Sequence, residues 1–235
     1  MTTDRSEPPD EPPAPARQRW RLVLARDADA PALGGRELGD AFERVMETTA
    51  LPLFRPSGRA RGRVAFGAPL QVGIAAEREL ADIVLTELVP RSVVRDRIAD
   101  GLPDGWHLVD LFDVWLGAPP LAGQVVAADY RIALGETDIA ALTIACAGLL
   151  AARTLPRERA KGTAVVTYDL RPLLVDVRVV DPGAPVRVRA RTRFDPALGT
   201  GRPEEVIASL ADRLGRALEV VSVVREQLIV ADDLA

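Results

Sequence analysis

The sequence predicts an α+β fold made of two tandem ferredoxin-like halves, each a β-α-β-β-α-β unit with a mostly antiparallel sheet. Two observations support this prediction. Segments with strand and helix periodicity follow one another in that order twice along the 235 residues. Between the two runs lies a glycine- and proline-rich break, GAPPLAG, at residues 117–123. We therefore expect a first half at residues 17–120 and a second half at 121–235.

The first half shows its elements through alternating and helical patterns. We expect strands at residues 19–25, 63–66, 79–88 and 107–115, where β-branched and aromatic residues are frequent. A helix is predicted over residues 37–49, since Leu38, Phe42, Val45 and Met46 recur at helical spacing. A shorter helix is predicted at 93–100, with Ser92 as its cap.

The second half repeats this order with one insertion. Strands are predicted at residues 125–134, 173–180, 186–194 and 220–230. Asp138 should cap an apolar helix that runs to residue 153, and Pro203 should begin the last helix. The insertion is an extra arm at residues 153–168.

Composition excludes several classes of protein. The chain has 48% apolar residues, and its longest apolar stretch, residues 139–152, is shorter than the roughly 20 residues of a membrane-spanning helix. We therefore expect a cytoplasmic protein without a membrane partner. Residues 1–16 are acidic and rich in proline, which predicts a disordered tail. With one cysteine and one histidine, the sequence predicts no disulfide, metal site or iron–sulfur cofactor.

Three groups of segments, in this order, carry a family resemblance. They are residues 51–58 (LPLFRPSG) with 64–73 and 79–85, then 156–162 (PRERAKG) with 168–172 (YDLRP), and then 201–206 (GRPEEV) with 225–228. Together they resemble the radical-SAM-associated domain of unknown function. The resemblance implies a radical-SAM protein as a partner, by physical or genetic association, and favours a role connected with RNA. The chain departs from the family pattern at residues 34–36 and 59–62. Lacking the cysteines, it is not itself a radical-SAM enzyme.

The sharpest local pattern is VRVRARTR at residues 186–193. Because side chains alternate along a strand, Arg187, Arg189, Arg191 and Arg193 should share one face, which we call the arginine ladder. Arg178 is expected beside them on the neighbouring strand. Such a ladder could hold phosphates, since guanidinium groups bind them well. The alternative is that the arginines pair with carboxylates such as Asp176, or protect an exposed sheet edge.

Two further basic segments are candidate anion-binding sites. Arg55, Arg59 and Arg61 lie in a glycine-containing loop, and Arg157, Arg159 and Lys161 lie in the extra arm. Each segment could also be a solvated basic loop. For catalysis the best carboxylate is Asp169, which could instead be a strand-end residue paired with Arg171.

These patterns lead to one main functional hypothesis and two alternatives. The main one is a non-catalytic accessory module that presents an arginine-lined sheet face to an anionic partner such as RNA. The first alternative is an RNA-modifying enzyme resembling pseudouridine synthases, with Asp169 as the catalytic group. The second is a protein–protein adaptor that pairs through its exposed sheet edges.

Overall fold

A computed structural model describes residues 14–57, 61–161 and 164–231 of the chain. It is a mixed α+β structure with a mostly antiparallel sheet. The strands in this part are β1 (Gln18–Arg26), β2 (Ala65–Phe66), β3 (Ala75–Leu85), β4 (Trp106–Val114), β5 (Val125–Leu134), β6 (Pro156–Lys161), β7 (Ala164–Asp169), β8 (Leu174–Asp181), β9 (Val186–Asp195), β10 (Gly199–Thr200) and β11 (Val220–Val230). The helices are α1 (Gly35–Thr48), α2 (Arg91–Ala99), α3 (Leu121–Gln124), α4 (Ile139–Ala151) and α5 (Pro203–Leu214).

Most of the strands form one large sheet. Its order is β10-β9-β5-β11-β3-β1-β4, with β2 also paired to β3 and β8 also paired to β9. The pairings within this sheet are antiparallel except for β11 with β3, which is parallel. The arm predicted after α4 is a separate antiparallel hairpin of β6 and β7.

Helices α1, α2, α4 and α5 cover one face of the sheet and divide the core into two main clusters. α1 and α2 pack on β1, β3 and β4 through residues such as Phe42, Ile98 and Leu22. α4 and α5 pack on β5, β8 and β9 through residues such as Leu149 and Val188. We call the opposite side of the sheet the open face.

The observed elements differ from the predicted ones mainly at their ends. β2 has two residues instead of four, and Gly67 follows it directly. At Gly67 the backbone passes close to the side chains of Val125 and Leu228, since a Cβ built there would lie 3.0 Å and 3.1 Å from them. A glycine fits this close approach, and the strand ends before it. α2 begins at Arg91 rather than after Ser92, because Pro90 already holds the chain at the helix start with φ of −58°. Asp138 caps α4 as predicted, accepting a hydrogen bond of 3.1 Å from the amide of Ala141.

A buried ion pair lies where β11 meets β3. These strands pair at only two positions, Val224 with Ala75 and Arg225 with Ala76. Arg225 is 1% exposed and Glu79 is fully buried. The Nε of Arg225 donates to Glu79 Oε1 at 2.5 Å, its Nη2 donates to the other carboxylate oxygen, and its Nη1 donates to the carbonyl of Pro69 at 2.9 Å. Burial disfavours the charged guanidinium, but Glu79 outweighs this effect and raises the pKa of Arg225.

We predict that Arg225→Met destabilises the protein by about 3–5 kcal/mol, because Glu79 would be left charged and buried without a partner. Removing both charges, in Glu79→Leu with Arg225→Met, should cost less than Arg225→Met alone. Urea unfolding followed by circular dichroism measures both values.

Arg91→Met is the control for this prediction, since Arg91 pairs with Asp110 at an exposed site and its loss should cost less than about 1 kcal/mol. Equal losses in Arg225→Met and Arg91→Met would contradict a special role for the buried pair.

Candidate anion-binding surface

The arginine ladder has the alternation that the sequence predicts. β9 is extended, and Val186, Val188, Ala190 and Thr192 are all buried toward the helices. The four arginines between and after them point to the open face. Because β5 runs alongside β9, Asp129 lies opposite Arg191 and Arg131 lies opposite Arg189. The ladder therefore lies beside other charged residues rather than on a bare surface.

Carboxylates of neighbouring strands neutralise most of the ladder. Arg191 donates to both oxygens of Asp129, at 2.7 and 2.9 Å. Arg189 lies 2.7 Å from a carboxylate oxygen of Glu226, and Arg187 pairs with Asp181. On β8, Arg178 pairs with Asp176 at 2.9 Å. At these positions the arginines pair with carboxylates of the protein, as in the alternative stated above. Like charges at this spacing repel each other, and the carboxylates between them offset that repulsion.

Arg193 is the exception in the ladder. It is exposed and makes no ion pair with any residue that the structure describes. Glu226 and Asp129 are further shared with Arg131 and Gln227, so the central carboxylates are fully occupied. The network is balanced in charge, since Arg131, Arg189 and Arg191 face three carboxylates: Glu77, Asp129 and Glu226.

A groove of about 360 Å³ crosses the middle of the open face, from β4 to β9. Its apolar part includes Val23, Leu80 and Ile229, and Phe112 lies at the β4 end with 45% of its surface exposed. The polar side chains that line this groove are Arg21, Arg78, Arg191 and Gln227.

Arg21, which lines the groove, belongs to a cluster in which two arginines share one carboxylate. Arg21 donates to Asp82 at 2.8 and 3.1 Å, and Arg19 donates to Asp82 at 2.9 and 2.6 Å. The three residues are 3–7% exposed. Arg19 also donates to the carbonyls of Ala118 and Pro119. The cluster therefore holds one positive charge in excess, and among the described residues the Nη1 of Arg21 has no hydrogen-bond partner.

Arg78 adds a second positive charge to the groove. It is exposed on β3, next to Leu80, and forms no ion pair in the part of the chain that the structure describes. The excess positive charge thus lies at the groove rather than along the central ladder. Sequence reasoning missed this region, although Arg19 and Arg21 flank Trp20 with the same two-residue spacing that identified the ladder.

The two other predicted basic segments do not line the groove. Arg55 pairs with Glu47, Arg61 is exposed near the same carboxylate, and Arg59 lies outside the described residues. In the arm, Arg157 lies 2.5 Å from Asp212, while Arg159 pairs with Glu205 at 2.9 Å and lies over the ring of Tyr168. Lys161 is the last residue of β6. Among the described side chains, the arginines of these two segments therefore do not share one surface with the ladder.

Asp169 has the contacts of a residue that stabilises a turn. Its Oδ1 accepts hydrogen bonds from the backbone amides of Leu155, at 2.7 Å, and Arg171, at 2.9 Å. The guanidinium of Arg171 instead donates to the carbonyls of Leu150 and Leu174, so the expected side-chain pair is not formed. Asp169 is not among the residues that line the groove.

The thiol of Cys146 is a further reactive group, and its surroundings make it unreactive. Cys146 is buried in α4, and burial raises the pKa of its thiol to about 11.

In the described residues, no group of three or more His, Cys, Asp and Glu side chains is arranged to hold a metal ion. None of the helices in that part of the chain is both long and apolar enough to cross a membrane.

The sequence matches the model of a protein family over most of its length. Residues 19–201 match the family described as "Uncharacterized protein conserved in bacteria (DUF2344)". No curated protein matches the chain.

Solved structures with a similar fold have very different sequences. The "Crystal Structure of a Cbf5-Nop10-Gar1 Complex" matches 89% of this chain and 48% of its own, with a TM-score of 0.50 and 9% identity. The "Crystal structure of the archaeal box H/ACA sRNP Nop10-Cbf5 complex" matches 88% of this chain and 46% of its own, with a TM-score of 0.44 and 10% identity. The chain thus spans about half the length of these solved chains. The first likeness concerns the fold alone.

Asp129 makes the open face sensitive to acid. Burial by itself would raise the pKa of Asp129, but hydrogen bonds from Arg191 and Gln227 and the charges of Arg191 and Arg189 lower it below its ordinary value. A carboxyl whose pKa is lower in the folded state stabilises the protein above its unfolded pKa, about 3.9, and loses this effect as the pH falls further.

We predict that Asp129→Asn lowers the free energy of unfolding by about 1–3 kcal/mol at pH 7, because charge-assisted hydrogen bonds are lost. The difference from the wild type should shrink as the pH falls below about 4, where the unfolded wild type takes up a proton at Asp129 that the folded protein does not. Urea unfolding at a series of pH values measures it. The exposed Asp104→Asn is the control; a difference for Asp129→Asn that stays constant down to low pH would refute this account.

Proposed function

Because the chain belongs to the family described as uncharacterized proteins conserved in bacteria (DUF2344), for which that description gives no activity, we propose its function from its own surface. It is a non-catalytic binding module that holds a single-stranded RNA segment in the groove of the open face. The observation that carries this proposal is the excess positive charge at the groove, from Arg78 and from the cluster of Arg19, Arg21 and Asp82.

The charge of the groove is of the kind that attracts phosphate. Arg21 is held in place by Asp82, so little conformational freedom is lost when its remaining N–H groups bind an anion. Arg191 is fixed in the same way by Asp129 at the other side of the groove. Arg78 forms no ion pair within the described residues, and it can contact a phosphate between them without breaking an existing pair.

The shape of the groove favours a chain with flat apolar groups as well as charge. Phe112 presents an exposed ring at one end, and Val23 and Leu80 form part of an apolar surface beside it. Nucleic-acid bases stack on aromatic side chains, and single-stranded RNA leaves its bases free to do so. A fully paired RNA helix would offer only its backbone and groove edges.

We also propose that the fold consists of two tandem ferredoxin-like halves, at residues 17–120 and 121–235. Two sets of four strands support it, β1, β2, β3, β4 and β5, β8, β9, β11. In both sets the strands lie side by side in the order fourth, first, third, second. The likeness to the Cbf5-Nop10-Gar1 structure at a TM-score of 0.50 is compatible with this arrangement as a matter of fold.

The enzyme alternative lacks a favouring observation. A catalytic carboxylate would have to face the bound nucleotide, and Asp169 instead accepts backbone hydrogen bonds away from the groove. The two carboxylates beside the groove, Asp82 and Asp129, are each held by two arginines. They position guanidinium groups rather than act as bases.

The RNA proposal is tested by fluorescence anisotropy with a labelled single-stranded RNA oligonucleotide. Arg78→Glu should weaken binding at least about tenfold, since a charge-assisted hydrogen bond contributes about 1.5–3 kcal/mol. It should also make the affinity less dependent on salt, because fewer counterions are released. Phe112→Ala should weaken binding by about 1–3 kcal/mol through the loss of one stacked base.

Arg44→Glu provides the matched control, since Arg44 is also exposed and lies on α1, on the covered side of the sheet. Unchanged affinity in both groove variants, or an equal loss in Arg44→Glu, would rule out the groove as the RNA-binding site.

We also propose that the module associates physically with a radical-SAM protein. This proposal is supported by the sequence resemblance alone. Co-purification of the tagged chain from its native cells after nuclease treatment should retain a radical-SAM protein, because a direct contact does not depend on RNA. Its disappearance after nuclease treatment would show that any association is mediated by RNA.

A further inference from the structure

The edge strand β8 has an unpaired side in the part of the chain that the structure describes. It hydrogen-bonds to β9 on one side only. Its sequence, LVDVRVVD, is rich in valine and contains no proline. Val175 and Val180 are 41% and 46% exposed. An exposed edge of this length and composition readily pairs with another strand unless it is covered or blunted.

The helix above this edge is also unusual, because α4 has no charged residue between Ile139 and Ala151. It packs on β8 through its buried side. Its solvent side includes Ile144, which is 73% exposed, together with Thr143 and Ala147. In contrast, α2 in the first half has three arginines and an aspartate in nine residues. A solvent-exposed helix normally carries charged residues on its outer face.

The strand at the opposite edge of the sheet, β4, is bound by arginines of the helix that packs on it. β4 carries Asp110 and Asp113, and Arg91 and Arg95 of α2 bind Asp110 across this edge. Bulges do not distinguish the two edges, because the pairing of β4 with β1 has one register shift and that of β8 with β9 has two. The edges differ in their contacts with the helices. α2 places two arginines on β4, whereas α4 has no charged side chain to place on β8.

We propose that β8 pairs antiparallel with β8 of a second copy of the chain, about a two-fold axis at Val177, and that α4 packs against the second copy's α4. The charges of β8 select this partner and this register. With Val177 at the axis, Asp176 lies opposite Arg178 of the second copy, and Arg178 lies opposite its Asp176. Both side chains point to the open face, where they already form a pair within one copy.

The side of α4 that meets the second copy follows from its neighbours. Gly148 lies against Arg213 of α5, since a Cβ built there would be 2.6 Å from the guanidinium Nη1. That flank of α4 faces inward along the helix layer. Thr143 and Ala147, four residues apart and both exposed, lie on the flank turned toward the edge. Small side chains at these positions allow two helices to approach closely.

The charge pattern can be tested with two variants that should each fail to dimerise alone but should associate when mixed. Sedimentation equilibrium over a range of concentrations measures the molar mass in each case. The wild type should be a dimer. Asp176→Arg should dissociate it, because the arginine introduced in each copy would face Arg178 of the other. Arg178→Asp should dissociate it through two facing aspartates. Mixed together, the two variants should form a heterodimer, since all facing charges are then opposite.

The helix contact is tested separately by a matched pair of threonine substitutions. Thr143→Glu on α4 should raise the dimer dissociation constant, because it places two like charges in an apolar contact. Thr48→Glu on α1 should not change it. Both threonines are exposed, and both hydroxyls donate to a carbonyl of their own helix, at 2.8 and 2.7 Å.

Three outcomes would overturn the proposal. They are a monomeric wild type at every concentration, a dimer that persists in both charge variants, and a failure of the mixed variants to associate. If the wild type is monomeric but the edge is protected from hydrogen exchange by a co-purified radical-SAM protein, the edge is an adaptor surface and the second copy is excluded. RNA binding by Arg78 is measured independently, so failure of either proposal leaves the other in place.

Discussion

The arrangement of the whole sheet depends on the buried ion pair of Arg225 and Glu79. β11 and β3 share only two paired positions, so few backbone hydrogen bonds join the two sets of strands there. Two charges removed from water are costly, and they are tolerated only when each satisfies the other. In the observed alignment of β11 against β3 the two charges meet at 2.5 Å. That alignment brings Arg21 and Arg191 to the same groove on the open face, although they are 170 residues apart in the chain.

Charge on the open face is distributed in two different ways. Along β5, β9 and β11 the central arginines each have a carboxylate, so this network has no excess charge and holds Arg191 in place at the groove. At the groove two arginines share Asp82, and Arg78 has no carboxylate partner in the described residues. A row of arginines is therefore a poor guide to anion binding by itself. The ratio of guanidinium to carboxylate groups within contact distance is the better measure.

The two proposed surfaces are separate in the fold. The groove crosses the open face from β4 to β9, and the strands between these two pair on both sides. The association surface lies at the outer edge, on β8 and α4. In the proposed dimer the two sheets would be continuous, and both grooves would open on the same side. Two binding sites on one surface increase the effective concentration for a long RNA.

The sequence by itself determined the local elements and their order. The alternation in β9, the cap at Asp138 and the helix start at Pro203 depend on residues close together in the chain, so periodicity was sufficient to predict them. Only the tertiary structure decided which arginines are neutralised. Asp129 lies 62 residues from Arg191, and Asp82 lies 61 from Arg21, so no local pattern could assign these partners. Strand pairing sets those distances, and strand pairing is a non-local property of the fold.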